Sequence, residues 1–355
     1  MTLATRIGFE DGLGLYESAP TGELREAAVA ARNRHADPKT ATYLVDRNVN
    51  YTNVCITDCT FCEFFRPPGH AESYVLTRAQ LAKKVQELAD AGGTRILMQG
   101  GHNPELRIGW YEDLLRWLSA AFPTVEIDAF SPSEIEHLAA LEGMTTSDTL
   151  ARLQAAGLRG LPGGGGEILD DEIRDRVSPK KTKTAAWLRI MGEAHALGLA
   201  TTVTMVFGFG EEAAHRLRAF EAIRRRQDES LAMYGRGFLA FASWPLQFES
   251  RYGQVYAERK GWKLGASCEE YLRHTAFARA YLDNVPHFQA SWPTMGIACA
   301  ERALSFGCDD LGGTMMEENV VSQAGSTHCS MTEEQLRAAI TRAGLVPRKR
   351  TTSYD

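Results

Sequence analysis

Two patterns of apolar residues alternate along most of the chain. Short apolar runs such as TRILMQGG (94–101), ATTVTMVFG (200–208) and GFLAFASWP (237–245) are typical of strands. Longer segments with apolar residues three and four positions apart, such as VLTRAQLAKKVQELADAGG (75–93), are typical of helices. From residue 42 onward we count eight strand candidates, nearly all followed by a helix. This order predicts an α/β fold, a (β/α)8 TIM-type barrel with parallel strands.

The first forty residues differ from the rest of the chain. FEDGLGLYESAP (9–20) and TGELREAAVAARNRH (21–35) favour helices, and no strand pattern separates them. We therefore predict a short helical N-terminal extension over residues 1–40 and a barrel over residues 41–355. The C-terminal segment of the barrel is expected to close the substrate site.

Polar residues and glycines follow the predicted strands. Cys55 follows the first strand, QGGHNP the second, Ser131 the third and GGGGE the fourth. Active sites in barrels of this kind lie at the carboxyl ends of the strands. The sequence therefore places the chemistry of this protein at that end.

Charge and hydropathy exclude several classes of protein. The net charge of −6 and the pI near 5.9 give no basic surface for nucleic acid, and the densest basic run, at Lys180, Lys181 and Lys183, predicts a solvated loop. No run of about eighteen apolar residues exists, so no membrane span is expected. The beginning of the chain lacks the apolar core of a signal peptide, which favours a cytoplasmic protein.

The segment CITDCTFCEFFRPPG (55–69) carries the clearest chemical signal. Cys55, Cys59 and Cys62 have the spacing C-x3-C-x2-C, and no fourth cysteine lies nearby. A structural zinc site normally closes with four protein ligands. An incomplete set of thiolates is what an iron–sulfur cluster needs when it keeps one position open for chemistry.

Two interpretations of these cysteines differ in their fourth ligand. A zinc site would be completed by a distant side chain such as His70, His102 or Cys268. Zinc ligands usually come in pairs separated by longer spans, so three cysteines in eight positions favour the cluster.

The total of seven cysteines is odd, which argues for metal binding or reactivity rather than a disulfide framework. The remaining four have no ligand spacing, and we expect small core or surface residues at Cys268, Cys299, Cys308 and Cys329.

The cysteine spacing, with Phe61 just before the last cysteine, resembles the radical S-adenosylmethionine (SAM) superfamily. The resemblance implies that the three cysteines bind a 4Fe–4S cluster whose fourth iron is left for SAM, the cosubstrate. It also implies that the segment after the second strand and residues after the third and fourth strands contact SAM. The implied contacts are Gln99, Gly100, Gly101, Ser131 and Glu167.

Longer segments narrow the resemblance. Residues 46–69, 92–106, 162–169, 176–181, 201–211 and 315–328 together are similar to the cyclic dehypoxanthinyl futalosine synthases of the futalosine route to menaquinone. The family resemblance implies an oxidoreductase that removes the C4′ hydrogen of dehypoxanthine futalosine and joins the resulting carbon radical to the benzoate ring. The related aminofutalosine synthases and deazaflavin (FO) synthases remain alternatives, as does a zinc-stabilised barrel that binds a small molecule.

Substrate contacts are assigned by position at the strand ends, and the resemblance also implies a flavodoxin- or ferredoxin-type electron donor. Because histidine titrates near neutral pH, His102 and His328 are candidates for accepting the final proton. The candidate substrate-binding residues are Tyr51, Asn53, Gln247, Gln289, Ser291, Glu317 and Asn319.

Overall fold

Parallel strands alternate with helices along most of the chain. The computed structural model describes residues 6–247, 251–261 and 263–355. The strands are β1 (Thr40–Leu44), β2 (Asp46–Asn50), β3 (Arg95–Gln99), β4 (Glu126–Ala129), β5 (Gly160–Leu161), β6 (Ala200–Phe207), β7 (Ala240–Pro245), β8 (His287–Gln289), β9 (Asp310–Gly313) and β10 (Val346–Lys349). The helices are α1 (Phe9–Ser18), α2 (Thr21–Arg32), α3 (Arg78–Asp90), α4 (Ile108–Ala121), α5 (Pro132–Glu142), α6 (Thr146–Ala156), α7 (Asp171–Val177), α8 (Thr184–Ala196), α9 (Ala213–Tyr234), α10 (Arg251–Lys260), α11 (Cys268–Tyr281), α12 (Trp292–Met295), α13 (Ile297–Leu304), α14 (Val320–Gln323) and α15 (Glu333–Arg342).

The strands form one parallel sheet in the order β10-β1-β9-β8-β7-β6-β5-β4-β3-β2. Val45 alone separates β1, which pairs with β9, from β2, which pairs with β3. The sheet therefore curls round until its two sides are joined by consecutive residues of the chain. Hydrogen bonds from Thr314 N to Leu44 O (3.0 Å) and from Asn48 N to Met315 O (2.8 Å) link the two sides. The predicted TIM-type barrel is confirmed.

The strand count differs from the prediction at two places. The first candidate strand is divided into β1 and β2, because the hydrogen-bonding partner changes from β9 to β3 at Val45. The last strand, β10, was not predicted at all. It pairs with β1 outside the ring, and its polar, mostly exposed sequence with Pro347 is typical of an edge strand rather than of a buried one.

The helix-start signal in the sequence before α3 is present in the structure. Thr77 and Gln80 form a reciprocal capping box at the start of α3, in which each side chain accepts a backbone N–H of the other residue. The buried face of α3 consists of Leu81, Val85 and Leu88, spaced as an amphipathic helix requires.

Charged residues fill the barrel at the end where its strands begin. Arg350 donates to Asp310 in an ion pair that is almost fully buried, and Arg95 lies 3.5 Å from Asp128. The ring of Tyr354 stacks on His287 with 4.0 Å between centroids. The cavity of the barrel therefore opens at the opposite end, where the strands finish.

The N-terminal helices pack against the outside of the barrel. The Tyr16 hydroxyl of α1 lies 2.9 Å from His274 Nδ1 of α11, and Arg273 donates to the Tyr16 carbonyl at 2.8 Å. The division of the chain at residues 40 and 41 stays a prediction. Among the described residues, no helix is long and apolar enough to cross a membrane.

A disulfide joins Cys268, at the start of α11, to Cys299 in α13. The expectation that these two are ordinary core or surface cysteines is wrong. Their separation of 31 residues gives no signal in the sequence, and the pairing arises because α11 and α13 pack side by side with the two Cα atoms 5.9 Å apart.

Candidate active site

A cavity of about 320 Å³ lies at the carboxyl ends of the strands. One side is formed by the cysteine segment and the ends of β3, β4 and β5, and the other by the ends of β7 and β8 and the segment after β9. Most of the predicted site residues line it. These are Asn53, Cys55, Cys59, Cys62, Gln99, Gly100, Gly101, His102, Ser131, Glu167, Gln289 and Ser291.

The cysteine segment alternates between inward and outward residues. Cys55 and Cys59 are buried, whereas Ile56 and Asp58 between them are exposed. Burial raises the pKa of Cys59 to about 11, and the nearby Lys181 ammonium acts against this effect. A positive charge next to the thiols therefore favours their thiolate form, which is the form that binds iron.

Cys62 completes the set from the same side of the cavity. Burial raises the pKa of its thiol, while the backbone N–H groups of Phe65 and Phe64 act in the opposite direction. Three thiols that face one cavity, with amide donors and an ammonium around them, fit the ligand set of an iron–sulfur cluster.

Two of the three candidates for a fourth zinc ligand are placed away from these thiols. Cys268 is bonded to Cys299, and the exposed His70 accepts the Glu72 N–H at its Nδ1, 3.1 Å away. His102 does line the cavity, with its ring stacked on His137 at 4.9 Å. The geometry therefore gives little support to a zinc site closed by four protein ligands.

The glycine pair after β3 is required by close packing. A Cβ on Gly100 would lie 2.5 Å from Tyr51 Cζ, and a Cβ on Gly101 would overlap the Val54 carbonyl oxygen. Because glycine has no Cβ, the cysteine segment can approach the end of β3 closely at both positions. The backbone N–H of His102 then donates to Cys55 Sγ at 3.3 Å.

Glu134 is a buried site residue that the sequence analysis missed. It accepts hydrogen bonds from the Tyr51 hydroxyl (2.8 Å), the Gly100 N–H (3.0 Å) and the Ser131 hydroxyl (2.8 Å). Burial raises the pKa of Glu134 to about 7, although these three donors favour the ionised form. Ser131, predicted only as a SAM contact, is also the N-cap of α5. The Ser-Pro-Ser-Glu sequence contains this capping signal.

Glu167 and Lys181 form an ion pair within the cavity wall. Lys181 Nζ lies 2.7 Å from Glu167 Oε1, and Arg174 Nη1 lies 3.5 Å from the other carboxylate oxygen. Although burial disfavours the Lys181 ammonium, the neighbouring Glu167 carboxylate outweighs it and raises the pKa of Lys181. The prediction that Lys181 lies in a solvated loop is wrong, whereas Lys180 and Lys183 form exposed ion pairs.

The opposite wall combines polar and apolar groups. Gln289 and Ser291 follow β8, and the Ser291 hydroxyl shares a 2.7 Å hydrogen bond with Thr294. Trp244 at the end of β7 and Val206 of β6 supply apolar surface beside them. This wall therefore suits a molecule that has both a ring and hydroxyl groups.

Three predicted substrate residues do not line the cavity and instead contact the residues that form its walls or lie next to it. Tyr51 is fully buried and acts on the cavity through Glu134. Gln247 borders a smaller neighbouring cavity of about 100 Å³, and its side chain donates to the Pro245 carbonyl at 3.1 Å. Asn319 donates to the Asn50 side chain at 3.1 Å.

Glu317 lies outside the cavity wall. Its carboxylate accepts from Arg47 Nη2 at 2.7 Å and from Lys84 Nζ at 2.5 Å, and so links the segment after β9 to β2 and α3. The neighbouring Glu318, which was not predicted, lines the cavity instead. Position after a strand does not show which of two adjacent side chains faces the cavity.

The two histidine candidates differ in environment. Burial, the neighbouring His137 and Lys181 lower the pKa of His102 well below its usual value, so its ring is neutral and weakly basic at pH 7. His328 is exposed after α14, and its backbone N–H donates to the Ser326 hydroxyl at 3.2 Å. The role of each as a proton acceptor stays a prediction.

Two protein-family models match this chain, and together they include residues from both sides of the cavity. Residues 49–223, which contain the cysteine segment and the glycine pair, match the radical SAM superfamily. Residues 235–355, which contain Trp244, Gln289 and Ser291 of the opposite wall, match the CofH/MqnC C-terminal region.

Similar proteins align with the chain over nearly its whole length. The chain is 43% identical to the cyclic dehypoxanthine futalosine synthase of Halalkalibacterium halodurans over 99% of this chain and 91% of that protein. It is 38% identical to the cyclic dehypoxanthine futalosine synthase of Streptomyces coelicolor, covering 99% and 85%. Identity to the 5-amino-6-(D-ribitylamino)uracil–L-tyrosine 4-hydroxyphenyl transferase of Methanoculleus marisnigri is 35%, covering 96% and 89%.

Solved structures share the fold at low sequence identity. Methylornithine synthase has a TM-score of 0.72 at 14% identity, covering 97% of this chain and 95% of that one. The FeFe-hydrogenase maturase of Carboxydothermus hydrogenoformans has a TM-score of 0.71 at 15% identity, covering 98% and 77%.

Proposed function

Because this chain belongs to the family of radical SAM enzymes that includes the cyclic dehypoxanthine futalosine synthases, we propose that it cyclises dehypoxanthine futalosine in menaquinone biosynthesis. The reaction class is radical C–C bond formation with SAM as cosubstrate. One observation carries the proposal, the similarity over 99% of the chain. It extends through the C-terminal residues that form the wall opposite the cysteines, where a second substrate would bind.

Cys55, Cys59 and Cys62 would hold three irons of a 4Fe–4S cluster and leave the fourth iron to SAM. When bound, the cluster supplies the electron that splits SAM into methionine and a 5′-deoxyadenosyl radical. The chain contributes the buried positions of Cys55 and Cys59 and the Lys181 charge, which acts against the increase in the pKa of Cys59 that burial causes. A closed barrel also keeps the radical away from water and foreign hydrogens.

Glu167 and Lys181 would orient SAM. The Glu167 oxygen that faces Arg174 makes no hydrogen bond among the described residues and can accept one from a ribose hydroxyl or the methionyl ammonium. The Lys181 ammonium suits the methionyl carboxylate, because opposite charges attract strongly in a buried site. The remaining proposed contacts come from the ends of β3 and β4, at Gln99, Gly100, Gly101 and Ser131.

The second substrate would lie against the opposite wall. Trp244 and Val206 offer apolar surface for its benzoate ring, while Gln289, Ser291 and Asn53 offer polar groups for its hydroxyls. This position presents C4′ to the adenosyl radical, so that hydrogen abstraction and addition to the ring occur within one enclosed space.

The other predicted substrate residues would act indirectly. Asn319 positions Asn50, which lines the cavity, and Glu317 holds the segment that carries Glu318. Tyr51 would support the glycine pair on the cysteine side through Glu134, and Gln247 would lie beside the opposite wall. We retain both His102 and His328 as candidates for the final proton.

An electron donor of the flavodoxin or ferredoxin type would reduce the cluster. In this proposal the enzyme works in the cytoplasm on a small-molecule substrate and needs neither nucleic acid nor a membrane. Residues 41–355 would form the catalytic barrel, and residues 1–40 an extension packed on its outside.

An anaerobic assay with reconstituted protein tests the proposal. Dehypoxanthine futalosine deuterated at C4′ is incubated with SAM and a reductant, and the products are measured by mass spectrometry. We expect deuterium in 5′-deoxyadenosine and one cyclic product for each SAM consumed. Unlabelled 5′-deoxyadenosine with unreacted substrate would refute the proposed reaction while keeping the chain in the superfamily.

A parallel assay distinguishes the related transferase activity. The same protein is incubated with tyrosine and 5-amino-6-(D-ribitylamino)uracil in place of dehypoxanthine futalosine. We expect no coupled product from this pair. A coupled product would mean that the chain resembles the transferases in substrate as well as in sequence.

A further inference from the structure

Thr57 lies between two of the cluster cysteines, and its side chain points at their sulfur atoms. Its hydroxyl oxygen is 2.9 Å from Cys55 Sγ and 3.7 Å from Cys59 Sγ. We propose that this hydroxyl raises the reduction potential of the cluster and so makes the reduction of the cluster by its electron donor easier. The inference rests on the proposed cluster, and its test is designed to separate the two.

The backbone conformation accounts for the inward position of Thr57. Ile56 and Asp58 on either side are exposed, and only 4% of Thr57 is accessible to solvent. Asp58 has a φ of +40°, a left-handed conformation that turns the chain between Thr57 and Cys59. On the exposed side of the segment, Lys180 Nζ forms an ion pair with the Asp58 carboxylate at 2.8 Å. The segment is therefore shaped so that a threonine side chain enters the thiol site.

A buried hydroxyl needs a hydrogen-bond partner, because leaving it unpaired away from water destabilises the folded protein. In the described part of the chain, the partners of the Thr57 hydroxyl are the two sulfur atoms. Once the cysteines are thiolates they can only accept, so the single hydroxyl hydrogen is donated to the nearer sulfur, that of Cys55.

Cys55 then receives two donors. The backbone N–H of His102 donates to the same sulfur at 3.3 Å, on the approach that Gly101 permits. Reduction adds one electron, and hence one negative charge, to the cluster and its thiolates. Hydrogen bonds to the sulfur stabilise that added charge, so they favour the reduced form and raise the potential.

Only proline would remove the backbone N–H of His102, and it would also change the backbone, whereas the hydroxyl of Thr57 can be removed without changing the shape of the side chain. Thr57→Val keeps the shape of the side chain and removes the donor, whereas Thr57→Ser keeps the donor and removes a methyl group. Thr60→Val is a matched control in the same segment, because the Thr60 hydroxyl donates to the Val177 carbonyl at 2.9 Å and not to sulfur.

The experiment measures the reduced fraction of the cluster by electron paramagnetic resonance at a series of fixed potentials, in anaerobically reconstituted protein. Iron and sulfide content are measured in parallel. For Thr57→Val we expect full iron content and a ratio of reduced to oxidised cluster that is roughly 3- to 10-fold lower at a given potential, where tenfold corresponds to 59 mV for one electron. Thr57→Ser and Thr60→Val should match the wild-type chain.

The outcomes separate the two proposals. An unchanged ratio in Thr57→Val, or an equal shift in Thr57→Ser, would overturn the role of the hydroxyl while leaving the cluster intact. Loss of iron from Thr57→Val would also overturn it, because the side chain would then hold the segment together instead of tuning the cluster. A wild-type chain that takes up no iron would refute the cluster itself.

Discussion

The hydroxyl of Tyr51 donates to Glu134 Oε1 at 2.8 Å, and the same carboxylate oxygen accepts the N–H of Gly100 at 3.0 Å. Through this shared oxygen, a fully buried tyrosine fixes the backbone of the glycine pair at the edge of the cavity. Neither Tyr51 nor Glu134 needs to touch a substrate to affect how one binds.

Replacing Glu134 with glutamine should change the pH dependence of stability. The pKa of Glu134 is raised to about 7 by burial, so the folded protein holds a proton that the unfolded chain releases near pH 4.5. The free energy of unfolding should therefore fall as the pH rises from about 4.5 to 7, by up to about 3 kcal/mol, and Glu134→Gln should lack this fall. Urea unfolding at pH 5 and pH 8 measures this change in the free energy of unfolding for both proteins.

The half-exposed Glu136 on the same helix provides the control. Glu136→Gln should keep the wild-type pH dependence. If Glu134→Gln and the wild-type chain lose the same stability between the two pH values, Glu134 is ionised throughout that range.

Replacing Glu167 with glutamine should weaken SAM binding. A neutral amide loses the ion pair with Lys181 and is a weaker acceptor than a carboxylate, so we expect the KM for SAM to rise roughly tenfold to a hundredfold. Iron content should not change. Steady-state kinetics with varied SAM measures the effect, and Glu172→Gln on the exposed side of α7 is the control. An unchanged KM would show that Glu167 only supports the glycine-rich turn.

Replacing Cys59 with alanine should abolish iron binding and SAM cleavage while the barrel stays folded. A cluster held by three thiolates depends on each of them, whereas the core of the barrel does not depend on Cys59. Iron analysis and circular dichroism test both statements, with Cys329→Ala as the control outside the cavity wall. Full iron content in Cys59→Ala would mean that the ligands are assigned wrongly.

Reduction of the disulfide between Cys268 and Cys299 should lower the melting temperature of the wild-type chain. The bond closes a loop of 31 residues. Breaking it removes a constraint on the unfolded chain and lowers the free energy of unfolding by about 3–4 kcal/mol. A double variant with serine at both positions should melt at the lower temperature and show no response to reductant. Identical melting of the wild-type chain with and without reductant would contradict a stabilising role.

The features predicted correctly share a local cause. The alternation of strand and helix patterns determines the barrel, because each βα unit carries its own periodicity. The spacing of Cys55, Cys59 and Cys62 and the adjacent glycines Gly100 and Gly101 likewise stand out as short motifs in the sequence, although the groups that exclude a Cβ at the glycines, Tyr51 and Val54, are distant in sequence. The three cysteines and the two glycines all line the cavity.

The features that were missed depend on distant partners. Only 16% of the Lys181 side chain is exposed, because the Glu167 carboxylate, fourteen residues earlier in the chain, neutralises its charge, and a run of lysines gives no sign of that. Glu317 points away from the cavity because Arg47 and Lys84 attract it. Cys268 meets Cys299 only because two helices pack together. None of these relationships is encoded in a short pattern.

The break at Val45 has a consequence for the order in which the protein can be made. β1 needs β9 as its partner, and β9 begins at Asp310, so a ribosome must synthesise most of the chain before the ring can close. The cysteine segment leaves the ribosome much earlier, before Gln289, Ser291 and Glu318 exist to cover it. During synthesis the thiols are therefore open to the surrounding solution, and the enclosed chamber that radical chemistry requires forms last.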